Sequence, residues 1–248
     1  MIISIFAKEV RLIFKDKSTY FWLFALPILF IVIFAAIFSN LSDNQGEAIA
    51  QIIPGYTVMF VFFIMISMVQ SFLRDRESGM LARLRSTLMP PYHFLLGMWL
   101  PHVLVLIIQS TVLLGFGYLV YGLQLGNVLA VIALVLALAI CATGLGLALS
   151  MIASSLNAAI GVVQLIAMGG AILGGLWFPF EMLPDAVQAI GRFTPQYWGL
   201  QGLQSAMING SGLNVATVWQ AVFLLLGIGV VGLAGAIALF KRYSSKGL

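Results

Sequence analysis

From Ser86 to Phe180 the chain runs for 95 residues without one Asp, Glu, Lys or Arg. A soluble domain is charged at about a quarter of its positions, so this stretch has too few groups to keep itself in water. The rest of the chain reads the same way, with 62% apolar residues, 8% charged residues and a mean hydropathy of +1.09. Its 248 residues suffice for roughly six helical spans of about 20 residues each, with no length left for a sizeable soluble domain. The expected fold class is therefore an all-α membrane protein, a single transmembrane domain over residues 1–248.

The spans are expected at Tyr20–Phe38 (containing Pro27), Ile53–Leu73, about His93–Tyr121, Val128–Ala153, about Ala158–Phe178 and about Val218–Phe240. Only Ser154–Asn157 separates the fourth from the fifth, which leaves room for a tight turn and nothing more. Residues 1–18 are not apolar enough to span. Ile3, Phe6, Val10, Ile13 and Phe14 recur at helical spacing, while Ser4, Lys8, Arg11 and Lys15 share another face. That pattern predicts an amphipathic helix lying in the bilayer interface, its bases towards anionic headgroups; the alternative is a charged tail that only sets topology. Glu9 and Asp16 mix acids into this region and a full-length apolar run follows it, unlike a cleaved signal peptide.

The bases fix the expected orientation. Lys8, Arg11, Lys15 and Lys17 precede the first span; Arg74, Arg76, Arg83 and Arg85 follow the second; Lys241, Arg242 and Lys246 follow the sixth. An even number of spans puts all three groups on one side. By the excess of Lys and Arg in cytoplasmic loops, that side is the cytoplasm, with both termini inside and only Arg192 external. The net charge of +4 thus reads as a topology signal and not as a nucleic-acid surface. The external stretch Pro179–Thr217 has few charges and many aromatics, Trp198 and Tyr197 among them. Short helices re-entering the outer leaflet would suit it, as would an ordinary loop with an aromatic belt.

Several familiar motifs are absent or misleading. No GxxxxGK[ST] phosphate loop exists, so this chain has no such site for ATP. Gly227-Ile-Gly229-Val-Val-Gly232 matches GxGxxG in letters only, since it sits in an apolar run with no strand before it and no acid after it. His93 and His102, the only histidines, have no Cys, Asp or Glu close by to complete a metal shell, so a histidine satisfied at an interface is expected and no metal site. Cys141 has no partner for an internal disulfide. Gly170-Ala-Ile-Leu-Gly174, flanked by Gly169 and Gly175, is a GxxxG, read first as packing within the chain and second as a dimer seam. Gln70, Gln109 and Gln164 are amides in apolar spans and candidates for lining a wet path. Because spans three to five hold no Asp, Glu, Lys or Arg, a proton or sodium relay has no obvious carrier, and the energy for transport would come from elsewhere.

The charged segment Arg74–Arg85 stands apart, with Met80, Leu81 and Leu84 interleaved among its arginines. Within it, Arg76-Glu77-Ser78-Gly79-Met80-Leu81-Ala82-Arg83-Leu84-Arg85, continuing through Ser86-Thr87-Leu88-Met89-Pro90, resembles the RE-x-G-(T)-L-x-x-L segment of ABC-2 exporter permeases. Phe94–Gly97 (FLLG) and the later Gly175-Leu176-Trp177-Phe178-Pro179-Phe180-Glu181-Met182-Leu183-Pro184 resemble further motifs of that family, at the expected places. Met80, where threonine is common, and Arg83, where an acid is frequent, depart from it. The resemblance implies a non-catalytic subunit, a dimer of permease chains served by separate ATP-binding subunits that hold ATP and magnesium. It implies an ATPase-docking segment over residues 74–92, with Arg74, Asp75, Arg76, Glu77, Ser78, Gly79, Leu81, Arg83 and Leu84 as contacts. Ser155 would add a second, smaller contact. An external gate would occupy residues 179–217, with Phe178, Phe180 and Glu181 on the path beside the three glutamines. The expected cargo is hydrophobic or amphiphilic; glycan export, ATPase-independent transport and a scaffold role stay open.

Overall fold

The computed structural model describes residues 2–15, 17–39, 45–80, 91–208 and 216–245. Among these every regular element is helical and no strand occurs. Among the described residues six helices are long and apolar enough to cross a membrane.

The chain opens with α1 (Ile2–Lys15). Its inward stripe is Ile5, Glu9 and Ile13, four residues apart and so on one helix face. Of the expected apolar positions Ile13 lies on this stripe, while Ile3 is 80% exposed. The partner surface decides which side of α1 meets the bundle. Gly97 leaves a gap in a neighbouring helix that the Ile5 side chain fills, and a Cβ there would come within 2.8 Å of Ile5.

The first span is α2 (Lys17–Tyr20), a π-helical turn (Phe21–Ala25) and α3 (Leu26–Ser39) in succession. Pro27 explains the wide turn. It has no N–H for the Leu23 carbonyl and its ring crowds that oxygen, and the helix widens so that the Leu26 N–H bonds back to Phe21. The second span is α4 (Gln45–Val61) and α5 (Ile64–Glu77), joined through a turn at Phe62 and Phe63. It is 83% buried across its apolar window, against 17% for the first span, so the second span is the centre of the bundle and the first lies at its edge.

α6 (Pro91–Tyr121) and α7 (Val128–Ile152) form the third and fourth spans. Gly122 and Gly126 take positive φ (67° and 55°) in the link between them, and the Asn127 side chain caps α7 by accepting from the Ala130 N–H at 3.0 Å. The fifth span is α8 (Leu156–Gln164), a second π turn (Leu165–Gly169) and α9 (Gly170–Leu173). It stops at a turn through Gly174 and Gly175 (φ 72°), so Trp177 and Phe178 lie beyond it and not within it as expected. After a 3-10 turn (Phe180–Met182) come α10 (Asp185–Gly191), α11 (Pro195–Ile208) and finally α12 (Ala216–Ser245).

The glycine motifs are packing surfaces. A Cβ at Gly144 of α7 would collide with the Gly229 carbonyl of α12, and one at Gly232 would approach the Gly144 carbonyl carbon to 2.7 Å. The GxGxxG lookalike is thus where two spans cross backbone to backbone, as small residues permit. Gly170 and Gly174 likewise pack inside the chain, against Gln196 and the Tyr197 N–H of α11. α11 itself is buried through Leu200, Leu203, Ala206 and Met207, and joins the main core with α4 and α7. The outer faces keep apolar side chains exposed, among them Leu119 (81%), Leu165 (76%) and Val231 (72%), as suits helices whose solvent is lipid.

Candidate coupling site

Two segments implied as partner contacts come together at one end of the bundle. α5 carries its helix through Glu77 and then stops. The Ser78 N–H donates to the Arg74 carbonyl at 3.0 Å, the Gly79 N–H to the Arg76 carbonyl at 3.2 Å, and Gly79 has φ 69°. A glycine in the left-handed region just past a helix end is a common stop, because other residues meet a Cβ clash there. The Ser78 hydroxyl adds a bond to the Asp75 carbonyl at 3.1 Å. Arg74, Arg76, Glu77 and Ser78 are exposed on this turn.

Alongside lies the link between α7 and α8. Ser154, Ser155 and Asn157 are exposed, and the Ser155 hydroxyl caps α8 by accepting from the Ala158 N–H at 3.3 Å. Beneath the two turns Val69 and Leu73 of α5 pack with Ala153 and with Ala159 of α8. That apolar patch fixes one turn beside the other. The same end holds Ile5 of α1, Phe94 of α6 and Phe240 of α12 in one cluster, so both ends of the described chain lie here.

Asp75 departs from the expected surface. It is 3% exposed and turns inward, where the Lys8 ammonium of α1 pairs with its Oδ1. Leu81, Arg83 and Leu84 lie outside the described residues.

The residues expected along a transport path have different surroundings. Gln70 and Gln164 are exposed on the outside of their helices. Gln109 is fully buried and donates to the Leu23 carbonyl at 3.0 Å, supplying the hydrogen bond that Pro27 withholds. Phe180 is buried against Tyr197, with ring centroids 4.5 Å apart, whereas Phe178 is half exposed beside Phe38 and Glu181 is exposed. Gln196 escaped notice in the sequence. It is 1% exposed and donates to the Ile166 carbonyl at 2.8 Å, within the second π turn. His102 is buried as expected of an interface histidine, its Nδ1–H donating to the Met98 carbonyl at 2.8 Å.

Toward the other end of the second span is a cavity of about 520 Å³, lined by Ile49, Gln51, Tyr121, Gln124, Gln204 and Met207 among others. Gln51 donates to the Gly175 carbonyl at 2.7 Å and accepts from the Gln204 amide. Along the helix, Gln51 and Arg74 are separated by roughly 35 Å at 1.5 Å per residue, about the depth of a bilayer core.

The family model for the ABC-2 type transporter matches residues 2–208. The chain belongs to the ABC-2 type transporter family. This permease is 23% identical over 223 residues to "Putative transport permease YvfS" of Bacillus subtilis (strain 168), a match covering 88% of each chain. With "Linearmycin resistance permease protein LnrN" of the same organism it shares 25% identity over 173 residues, 68% of this chain and 43% of that one. A shorter match, 33% identical over 85 residues, links 34% of the permease to 10% of "Uncharacterized protein YhgE". Membership makes the chain a membrane transport component, and it implies in general an ABC ATPase as the partner.

Proposed function

We propose that this permease exports a hydrophobic or amphiphilic compound, such as a drug, antibiotic or lipid-like natural product, from a bacterial cell. The force comes from ATP hydrolysed, with magnesium, on a separate nucleotide-binding subunit. Two permease chains, identical or paralogous, form the transport unit in the cytoplasmic membrane, with their termini inside. The observation that carries this reading is the turn at the end of α5, exposed at Arg74, Arg76, Glu77 and Ser78, held beside the turn exposed at Ser154, Ser155 and Asn157. Charges that cannot enter lipid need water or a protein surface, and two rigidly spaced turns give a partner two points on which to pull.

Three features support the cargo class. The spans between Arg85 and Glu181 carry no charge. The cavity near Gln51 and Gln204 mixes amides with apolar walls, as suits an amphiphile. LnrN is named as a linearmycin resistance permease.

The test is co-purification and transport. Glu77→Lys and Gly79→Trp are expected to leave the amount of permease in the membrane unchanged. Each should weaken ATPase co-purification by about tenfold, the consequence of losing ~1.4 kcal/mol of docking energy. ATP-dependent efflux of a fluorescent amphiphile from cells should fall with it. Normal export by both variants removes these residues from the docking surface.

A further inference from the structure

Behind the coupling turn lies a buried ionic group that the docking reading does not use. Lys8 of α1 pairs with Asp75 Oδ1 at the end of α5, and its Nζ also lies 3.0 Å from Glu9 Oε1 and 3.5 Å from Met80 Sδ. Glu9 is fully buried and Asp75 is 3% exposed, yet among the described residues, beyond the Lys8 contact with Glu9 Oε1, no hydrogen bond reaches either Glu9 oxygen or Asp75 Oδ2. One ammonium therefore serves two carboxylates. His102 of α6 is also fully buried. Burying ions costs desolvation that the pair's attraction repays only in close geometry. A cheaper apolar contact would hold α1 just as well against the bundle, so this pairing supplies something other than adhesion: a contact specific in partner and direction.

We propose that Lys8 and Asp75 form the joint by which α1 follows the coupling turn, with Asp75 acting as a positioning residue and not as a contact to the ATPase. Asp75 sits between Arg74 and Arg76 on the last turn of α5, so a tilt of that turn moves its carboxylate. The ion pair passes the displacement to Lys8, and α1 carries it to α6, on which it rests at Ile5 and Gly97. The joint rests on the reading of Arg74–Gly79 as the docking turn, and its test separates the two.

Cys141 is the only cysteine. In full-length Cys141→Ser protein in native membranes, Ile5→Cys reports whether α1 is seated, because Ile5 is 7% exposed when it is. Asp75→Asn and Lys8→Met are each expected to speed labelling of that cysteine by a water-soluble maleimide about tenfold, and the double variant no further, the mark of a coupled pair. Asp75→Glu and Lys8→Arg should label at the parent rate. Unchanged labelling in the single variants, or effects that multiply in the double, overturns the joint. Where a single variant fails to reach the membrane, the double and the two conservative variants decide by the same rates. With the ATPase bound, Asp75→Asn should hydrolyse ATP at the parent rate while export falls at least about fivefold. Loss of ATPase binding in Asp75→Asn would make Asp75 a docking residue and overturn the proposal. If the parent chain binds no ATPase, the docking reading fails by itself while the labelling rates still decide the joint.

Discussion

Pro27 and Gln109 form a matched pair although 82 residues separate them in sequence. The proline removes the N–H that would bond the Leu23 carbonyl, the helix widens into a π turn, and Gln109 reaches across from α6 to bond that oxygen. A buried backbone carbonyl left unpaired is costly, and Gln109, itself fully buried, supplies the donor. Gln109→Leu is therefore expected to lower stability by ~1–2 kcal/mol, read as a lower unfolding midpoint in detergent. Pro27→Ala, which restores the N–H, should shrink that loss. An equal loss in both backgrounds would show that the amide is not there for this carbonyl. Gln196 also bonds within the second π turn, at the Ile166 carbonyl, but that oxygen already accepts from the Gly170 N–H, so Gln109 is the one of the two that stands in for a missing backbone donor.

At the scale of elements, bare backbone decides how the spans meet. α7 and α12 approach each other over Gly144, Gly229 and Gly232 so closely that a single Cβ has nowhere to go. Gly144→Ala must push the two spans apart, which is expected to cost ~1–3 kcal/mol, as overpacking does in other cores. Gly227, on the same helix, faces open space, with no packed atom of the described residues within 4 Å of where a Cβ would stand. Gly227→Ala should be neutral or slightly stabilising, since alanine is the better helix former. Thermal midpoints of the two variants, measured side by side, check the difference. A neutral Gly144→Ala would mean that α7 and α12 do not cross where they are seen to.

For the whole molecule the question is which way the bundle sits. Ile5 and Phe240 lie in one cluster, so the first and last helices return to the same end, and the Arg74–Gly79 turn that ends α5 is there too. The excess of bases at this end predicts that it faces the cytoplasm. In the Cys141→Ser background, cysteines placed at Arg74 or Ser155 should react with an impermeant maleimide only after the cells are opened. Cysteines at Glu181 or Arg192 should react in intact cells. The reverse pattern would invert the topology and, with it, the direction of transport.

The number of spans, their approximate ends and the isolation of the charged segment were all readable along the chain. Apolar length and charge are properties that accumulate residue by residue, and lipid tests them without regard to neighbours. Facing is different. Arg74, Asp75 and Arg76 are three consecutive charged residues, but a helix turns by about 100° per residue, and only the position of α1 determined that the middle one would point inward to Lys8. The same holds for Ile5, Glu9 and Ile13 forming the face that α1 turns to the bundle, and for Gln109 and Gln196 turning to carbonyls on distant helices. Sequence determined what must leave water; the packing of the spans decided which side of each helix had something to meet.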